Sequence, residues 1–255
     1  MALNISNNVD NFQESLLKHP QVDSWPFMSS PLGASMLCAA YLIFVLKIGP
    51  KFMENRKPFS LRKVIIVYNG LQVLYSFLMC FYLTGFRFDY YFYFVTNGCH
   101  PQKTIDMTLN INIGGWWYMF AKFTEFVDTI CFILRKKMNQ VTLLHVYHHS
   151  STAFFAWVYL KYIPGEQGVI IGFHNSFVHI FMYAYYFLSA LGPEYQKYLW
   201  WKRYITIIQL TQFSLNLIYL FSIIFMNCDG PIYLTIFFTL NTILFVILFS
   251  KFYIK

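Results

Sequence analysis

The chain has 255 residues, of which 57% are hydrophobic and only 12% are charged, and its formal net charge is +8. Soluble domains typically carry about a quarter charged residues, so this composition excludes an ordinary soluble domain and indicates an integral membrane protein. A positive net charge can indicate nucleic-acid binding, but the basic residues here lie between apolar segments rather than along one helical face. We therefore expect one membrane domain with no nucleic-acid partner.

Seven apolar runs are long enough to cross a bilayer at about 20 residues each, which predicts an all-α bundle of seven transmembrane helices. The third and fourth runs carry polar residues, which weaken their hydropathy. We expect a short non-cytosolic segment (residues 1–31), a seven-span domain (32–250) and a cytosolic tail (251–255). The predicted spans are Leu32–Ile48, Val64–Thr84, Trp116–Leu134, Val141–Leu160, Gly168–Leu191, Tyr204–Met226 and Ile232–Ser250.

The basic residues predict the orientation of these spans. Fourteen of the 19 Lys and Arg fall on one side, in the first loop, the loops after spans three and five, and the tail. Cytosolic loops carry an excess of Lys and Arg, so we expect a lumenal or extracellular N-terminus and a cytosolic C-terminus. Asn4 begins the only N-x-S/T acceptor pattern, which falls on the non-cytosolic side and gives weak support.

The five cysteines divide by predicted topology. Three lie within spans, where a thiol usually only packs: Cys38, Cys80 and Cys131. Cys99 and Cys228 fall in two loops on the oxidising side, where a disulfide can form and persist. We predict a disulfide between them; the alternative is two unpaired thiols.

A histidine cluster lies inside the fourth predicted span. His145, His148 and His149 are spaced i, i+3 and i+4, which predicts one shared face of a helix. Ionisable side chains at membrane depth are costly and are usually functional. This cluster is therefore where we expect the chemistry.

Polar residues in three neighbouring spans repeat this pattern. Lys122, Glu125 and Asp128 fall at i, i+3 and i+6 and could form a salt-bridge clasp between helices, part of a reactive site, or both. Inward polar stripes on consecutive spans indicate a bundle around a polar chamber. The remaining members are Asn175 and His179 in span five and Thr206, Gln209 and Gln212 in span six.

Three kinds of function could use such a chamber. Clustered imidazoles bind metals, as in the di-iron membrane desaturases and hydroxylases, but the chamber holds few carboxylates for two irons. Without metal, burial keeps an imidazole neutral, so that it can act as a base or as an acyl-accepting nucleophile. A seven-span receptor or transporter is the third alternative, although neither class needs three clustered histidines.

Four motifs between residues 122 and 212 resemble those of the very-long-chain fatty acid elongases, in the same order. The tail differs, because Lys251-Phe-Tyr-Ile-Lys255 lacks the dilysine spacing with which many of these enzymes end. The motifs are Lys122-x-x-Glu125-x-x-Asp128-Thr129 with Leu134-Arg135-Lys136-Lys137, Gln140-x-x-x-Leu144-His145-x-Tyr147-His148-His149, Asn175-x-x-Val178-His179-x-x-Met182-Tyr183-x-Tyr185-Tyr186, and Thr206-x-x-Gln209-x-x-Gln212.

The resemblance implies a 3-oxoacyl-CoA synthase of the endoplasmic reticulum membrane. Such an enzyme condenses a long-chain acyl-CoA with malonyl-CoA, releases carbon dioxide and CoA, needs no metal or cofactor, and can associate with other enzymes of the elongation cycle. It also implies an acyl-imidazole, which we place on His148, with His145 and His149 orienting it or moving a proton. Donors to developing negative charge are expected from Asn175, His179 and Gln209.

The remaining site residues are expected to bind substrate or to hold the helices. A tunnel through the apolar bundle would take the acyl chain, and the basic residues Arg135, Lys137 and Lys202 would take the CoA phosphates. Glu125 and Asp128 would hold Lys122 and the neighbouring helices. The full set of expected substrate-binding residues is Lys122, Arg135, Lys137, Gln140, Tyr185, Lys202, Thr206 and Gln209.

Overall fold

A computed structural model describes residues 20–84, 88–97, 99, 105–163, 167–226, 228 and 231–254. This part of the chain is helical with short connections and contains no β-strand, which confirms the predicted all-α class. The α-helices are α1 (Pro20–Asp23), α2 (Pro31–Ile43), α3 (Gly49–Met53), α4 (Arg62–Thr84), α5 (Phe88–Asn97), α6 (Ile105–Thr124), α7 (Phe126–Leu134), α8 (Leu143–Tyr162), α9 (Gln167–Ala190), α10 (Lys202–Phe225) and α11 (Ile232–Ile254).

Four helical segments in the described ranges are long and apolar enough to cross a membrane. Pro31–Met53 runs from α2 through a π-helical turn at Phe44–Ile48 into α3, and the others are Arg62–Leu83, Lys202–Phe225 and Ile232–Ile254. The three predicted spans between them are also helical, but they carry the buried charged side chains and the buried histidines of the described residues. The seven-span topology therefore stays a prediction.

Six long helices form a closed ring. In order around the ring, α4 contacts α9, α9 contacts α10, α10 contacts α11, α11 contacts α8, α8 contacts α6, and α6 returns to α4. Helix α2 lies outside the ring, against α8. This arrangement encloses an interior between the six helices, where side chains from all of them can meet.

The predicted third span differs from the structure at both its start and its middle. Helix α6 begins at Ile105 rather than Trp116, and the helix breaks at Glu125 before α7 continues. The Thr124 hydroxyl donates to the Ala121 carbonyl at 2.7 Å, a back-bond that tends to bend helices. A tighter turn follows, in which the Asp128 amide donates to the Glu125 carbonyl at 3.1 Å. The break places Glu125 at the junction of two helices.

Arg62 anchors one end of the ring. Its Nε donates to the Ala190 carbonyl at 3.0 Å, and its guanidinium also donates to the Leu191 carbonyl, so it satisfies carbonyls left free where α9 ends. Gly192 follows with a φ of +116°, and a Cβ there would lie 2.7 Å from the Arg62 guanidinium. We call this end, where α7 and α9 finish and α8 and α10 begin, the basic end.

The opposite end of the ring is joined covalently. Cys99, before α6, forms a disulfide with Cys228, before α11, with the two Cα atoms 4.5 Å apart. The structure thus pairs the two cysteines as predicted and does not support the alternative of two free thiols. The other three cysteines are buried and unbridged, also as predicted. We call this end the disulfide end.

The segment before α2 also contacts the disulfide end. Trp157 Nε1 donates to the Phe27 carbonyl at 2.7 Å, and Lys161 Nζ lies 2.5 Å from Asp23 Oδ1. Lys161 donates as well to the Met28 carbonyl at 3.0 Å. These contacts hold residues 23–28 across the end of α8.

Candidate active site

Four polar side chains in the interior form a closed cycle. Lys122 Nζ lies 2.5 Å from Glu125 Oε1 and 2.6 Å from Asn175 Oδ1. Glu125 Oε1 lies 3.2 Å from His179 Nδ1, and His179 Nε2 lies 3.4 Å from Asn175 Nδ2. All four residues are buried. The cycle joins α6, the break before α7, and α9, and it contains four of the residues expected from sequence.

The partners in this cycle assign its protons. A carboxylate only accepts hydrogen bonds, so His179 Nδ1 carries the proton that faces Glu125. His179 Nε2 then accepts from the Asn175 amide nitrogen. The Asn175 oxygen accepts from Lys122 and, at 3.0 Å, from the Tyr118 hydroxyl. His179 is therefore a neutral imidazole with a fixed tautomer.

Asp128 does not share the ion pair, which corrects the expectation that both acids hold Lys122. Its Oδ2 accepts from the Tyr183 hydroxyl at 2.7 Å, and Glu125 alone pairs with Lys122. The helix break at Glu125 explains the difference, because it interrupts the regular face on which the i, i+6 spacing relied. Asp128 instead links α7 to α9 through Tyr183.

The three clustered histidines share one face of α8, as predicted, with the His148 and His149 ring centroids 5.7 Å apart, but they contact different neighbours. His145 Nε2 lies 2.9 Å from the Thr129 hydroxyl of α7, which in turn lies 2.8 Å from the Tyr41 hydroxyl of α2. The rings of His145 and His149 are 4.3 Å apart. His149 Nδ1 points at Glu125 Oε2 from 3.9 Å, which is beyond hydrogen-bond distance. Both histidines thus face α7 and the polar cycle.

His148 faces the interior of the ring instead. Its imidazole lies among three phenylalanine rings of α10 and α11, with ring-centroid distances of 6.3 Å to Phe213, 4.9 Å to Phe245 and 5.7 Å to Phe249. Its Nδ1 is buried and has no hydrogen-bond partner among the described residues. A neutral imidazole with an uncommitted nitrogen in an apolar cage can act as a nucleophile.

A cavity of about 160 Å³ adjoins His148 inside the ring. Asn175 of the polar cycle and Gln212 of α10 line it beside His148. The six helices of the ring each contribute to its wall, through Leu83, Ile111, His148, Asn175, Gln212 and Phe245 among others. His148 and Asn175 of the polar cycle therefore line one cavity, and most of the remaining wall is apolar.

The expected CoA-binding residues lie at the basic end, outside the buried cycle. Lys137, Gln140 and Lys202 are exposed, and Arg135 is half-buried. Arg135 and Arg62 line a second cavity of about 270 Å³. The structure therefore brings a second arginine, Arg62, to the place where the sequence predicted phosphate contacts.

The fourth motif contributes differently from expected. Gln209 donates to the Met182 sulfur at 3.7 Å, whereas Gln212, which was not assigned a role, lines the cavity with His148. Thr206 is half-buried on the same helix. Tyr185 packs edge-on against Trp201, with the ring centroids 5.5 Å apart. Gln209, the expected residue, thus lies one turn of α10 away from Gln212, which reaches the cavity.

Sequence reasoning missed three hydroxyl groups of the site: Tyr118, Tyr183 and Thr129. Tyr118 precedes Lys122 by four residues, so helical spacing alone could have placed it on the same face. Tyr183 and Thr129 both lie within the quoted motifs but were not given roles. Tyr41 carries no such signal, because it comes from a distant and otherwise apolar helix.

The histidines and acids of the described residues do not form a metal-ligand group. No set of three or more His, Cys, Asp or Glu side chains in these ranges is arranged to hold a metal ion. Glu125 is paired with Lys122, and Asp128 accepts from Tyr183, so neither carboxylate is free of a protein partner.

Comparison with known proteins identifies the family. The family model described as ELO: GNS1/SUR4 family matches residues 26–255. The chain belongs to the ELO family. A very long chain fatty acid elongase of Aedes aegypti is 39% identical over 261 residues, which cover 99% of this chain and 71% of the relative.

Two further ELO-family relatives carry similar names. Very long chain fatty acid elongase 7 of Drosophila melanogaster is 42% identical over an alignment that covers 92% of this chain and 71% of the relative. Very long chain fatty acid elongase 1 of Homo sapiens is 40% identical and covers 96% of this chain and 89% of the relative. The family, these names and the apolar helices support a membrane enzyme of fatty acid elongation.

Proposed function

We propose that this ELO-family chain is a 3-oxoacyl-CoA synthase. It condenses a long-chain acyl-CoA with malonyl-CoA and gives carbon dioxide, CoA and a 3-oxoacyl-CoA that is two carbons longer. The observation that carries the proposal is the placement of His148. Its imidazole lines the interior cavity, has an uncommitted Nδ1, and lies beside the Asn175 wall of the polar cycle.

The first step transfers the acyl group to His148. An imidazole nitrogen attacks the thioester carbonyl, a carbon–nitrogen bond forms, and the carbon–sulfur bond breaks. The imidazole proton leaves with the CoA sulfur, so CoA departs as a thiol. The phenylalanines around His148 exclude water, which protects the acyl-imidazole from hydrolysis.

The second step forms the carbon–carbon bond. Malonyl-CoA loses its carboxylate as carbon dioxide, and the resulting enolate attacks the acyl carbonyl. The carbon–nitrogen bond to His148 breaks, and the imidazole takes up one proton, which restores the starting state. Each cycle therefore consumes one proton and releases one carbon dioxide and one CoA.

The polar cycle serves this chemistry by fixing the amide of Asn175. One N–H of that amide is committed to His179, and the other is available to an oxygen that develops negative charge. Gln212 lies on the same cavity wall and supplies a further amide. Preorganised donors of this kind, removed one at a time from an enzyme, typically cost about 10²–10³ in kcat.

CoA binds at the basic end. The phosphates of CoA are polyanionic, and Arg62 and Arg135 line one cavity there. Lys137, two residues after Arg135, and Lys202, at the start of α10, are exposed at the same end. Guanidinium and ammonium groups form charge-assisted hydrogen bonds with phosphate, so this end suits a cytosolic CoA thioester. The acyl chain then enters the ring from the basic end.

The membrane placement follows from the same asymmetry. We place the chain in the endoplasmic reticulum membrane with seven spans, the basic end in the cytosol and the disulfide end in the lumen. The excess of Lys and Arg supports a cytosolic basic end, and the Cys99–Cys228 bond suits an oxidising compartment. The substrates are CoA thioesters, and the proposed chemistry needs no cofactor.

Condensation can be measured directly. Purified protein is given a long-chain acyl-CoA and malonyl-CoA labelled in its free carboxyl group, and acyl-CoA-dependent release of labelled carbon dioxide is followed. We expect release by the wild type and none by His148→Ala. Ser214→Ala is the control, because Ser214 is exposed on α10 and does not line the cavity. A folded His148→Ala protein with substantial turnover contradicts the proposal.

A further inference from the structure

The interior cavity extends from His148 toward the disulfide end. Its wall there includes Leu83 near the end of α4, Asn112 of α6 and Gly168 at the start of α9. Asn112 precedes Lys122 by ten residues on α6, which corresponds to about 15 Å along the helix axis. The cavity therefore has a reactive end at His148 and a far end near Asn112.

Asn112 differs from the other asparagines on this wall. Asn175 is bonded to Lys122, Asn216 to His174 at 2.7 Å, and Asn241 to the Tyr147 hydroxyl at 2.7 Å. Asn112 is only 5% exposed, and its Oδ1 has no partner among the described residues. The wall at the far end of the cavity thus includes a buried acceptor that has no donor among the described residues.

An alkyl chain cannot supply that hydrogen bond. A chain that stops short of Asn112 leaves space in which the amide can turn so that water donates to Oδ1. A chain that reaches Asn112 displaces the water and leaves the acceptor unpaired, which is costly in a buried site. The Asn112 amide therefore disfavours an acyl chain that is long enough to reach it. The neighbouring side chains Leu83, Ile111 and Leu160 are apolar and have no such effect.

Gly172 lines the same cavity between Asn175 and the far end. A Cβ at Gly172 would lie 3.5 Å from Leu83 Cδ1 and 3.8 Å from Tyr118 Cδ2, both ordinary contact distances. A methyl group therefore fits without moving the helices, and a longer side chain would project into the space that the chain must pass. The absence of a side chain at Gly172 keeps the cavity wide at this level.

We propose that Asn112 and Gly172 together set the acyl length that the enzyme accepts. Gly172 lets the chain pass toward the far end, and Asn112 stops further growth there by remaining unpaired against an alkyl terminus. This inference rests on the proposed condensing function, because it assigns the cavity to the acyl chain. It makes the two residues determinants of chain length rather than groups that touch the reacting atoms.

Substitution of Asn112 tests the stop. Asn112→Leu removes the acceptor, so a product two carbons longer than the longest wild-type product should form. Its amount relative to the longest wild-type product should rise about tenfold. Asn110→Leu is the matched control on the same helix, since Asn110 is exposed. Its product distribution should equal that of the wild type. Asn112→Ala provides a smaller change, which keeps the test open if the leucine variant unfolds.

Substitution of Gly172 tests whether the acyl chain passes this residue, and it should shorten the accepted chain where Asn112→Leu lengthens it. Gly172→Leu should lower turnover of the longest accepted acyl-CoA by about tenfold and leave a much shorter acyl-CoA little affected. Gly172→Ala should act in the same direction but more weakly. Gly70→Ala is the matched control, because a Cβ at Gly70 meets only Phe187, at 3.4 Å, and Gly70 does not line the cavity.

The readout is product length by mass spectrometry over a panel of acyl-CoAs, with thermal unfolding of each variant as a check on folding. Opposite shifts at the two sites, with unchanged controls, support the inference. A wild type that condenses acyl-CoA while folded variants at both sites keep its product distribution overturns the inference alone. A wild type that releases no carbon dioxide from malonyl-CoA overturns the proposed function itself.

Discussion

Lys122 lies 2.6 Å from the amide oxygen of Asn175, and this contact links the buried ion pair to the wall of the cavity. The same ammonium lies 2.5 Å from Glu125, so one charge holds a residue on α9 and one at the helix break. Asn175 is thereby held with its oxygen toward Lys122 and its amide nitrogen toward His179. The ion pair consequently orients an amide as well as joining helices.

Removal of the Lys122 charge should cost both stability and activity. Lys122→Met leaves the buried Glu125 carboxylate without its cation, and breaking such a pair on one side typically costs about 3–5 kcal/mol of unfolding free energy. The unfolding temperature and the rate of carbon dioxide release should both fall. The double variant Lys122→Met/Glu125→Gln should regain part of the stability, since neither partner is charged, and should stay inactive.

Lys161→Met is the matched control for that prediction. The side chains of Lys161 and its partner Asp23 are 12% and 35% exposed, so the loss of Lys161 should cost less stability than the loss of Lys122 and should leave turnover close to that of the wild type. If Lys122→Met unfolds at the wild-type temperature, the Lys122–Glu125 pair does not contribute the stability that we assign to it.

Thr129 should act on the reaction through His145. Thr129→Val keeps the shape of the side chain but removes its hydrogen bonds to His145 and Tyr41. We expect kcat to fall about tenfold, which corresponds to about 1.4 kcal/mol, with little change in the KM for acyl-CoA. Thr129→Ser should restore most of the rate. Thr211→Val, an exposed threonine on α10, is the control.

The disulfide should support stability rather than chemistry. The bond closes a sequence separation of 129 residues, and loss of a native disulfide typically costs about 2–5 kcal/mol. Cys99→Ser should therefore lower the unfolding temperature, while Cys38→Ala should leave the bridge intact. Peptide mapping without reductant should recover the Cys99 and Cys228 peptides as one linked species. Recovery of two free thiols contradicts the pairing.

Carbon dioxide release should be insensitive to metal chelators. The proposed route uses only imidazole, amide and CoA chemistry, so incubation with a strong chelator followed by its removal should leave turnover unchanged. Elemental analysis of the purified protein provides the second measurement. Two irons per chain, with activity that is lost on chelation and restored by iron, would replace the acyl-imidazole route with metal chemistry.

The sequence predicts the elements and several site residues because membrane depth restricts which polar groups occur. Buried polar side chains are rare in such segments, so Lys122, His148 and Asn175 could be selected without a structure. The disulfide was predictable for a related reason, since the predicted topology put only Cys99 and Cys228 on the oxidising side. These predictions needed only chain order and helical spacing.

Other features depend on backbone detail that spacing does not describe. The break at Glu125 coincides with a Thr124 side-chain bond to the backbone, and beyond it Asp128 contacts Tyr183 rather than Lys122. The different contacts of the three histidines depend on partners from distant helices, such as Tyr41 on α2 and Phe245 on α11. Long-range partners of this kind are not visible in local sequence patterns.

The central claim is that His148 carries the acyl group. The most direct measurement is mass spectrometry of the purified enzyme after incubation with a long-chain acyl-CoA and no malonyl-CoA. We predict an adduct of the acyl mass on the peptide that contains His148, its loss when malonyl-CoA is added, and its absence in His148→Ala. An active wild type that shows no adduct, or one whose acyl group is found on another residue, would contradict the account.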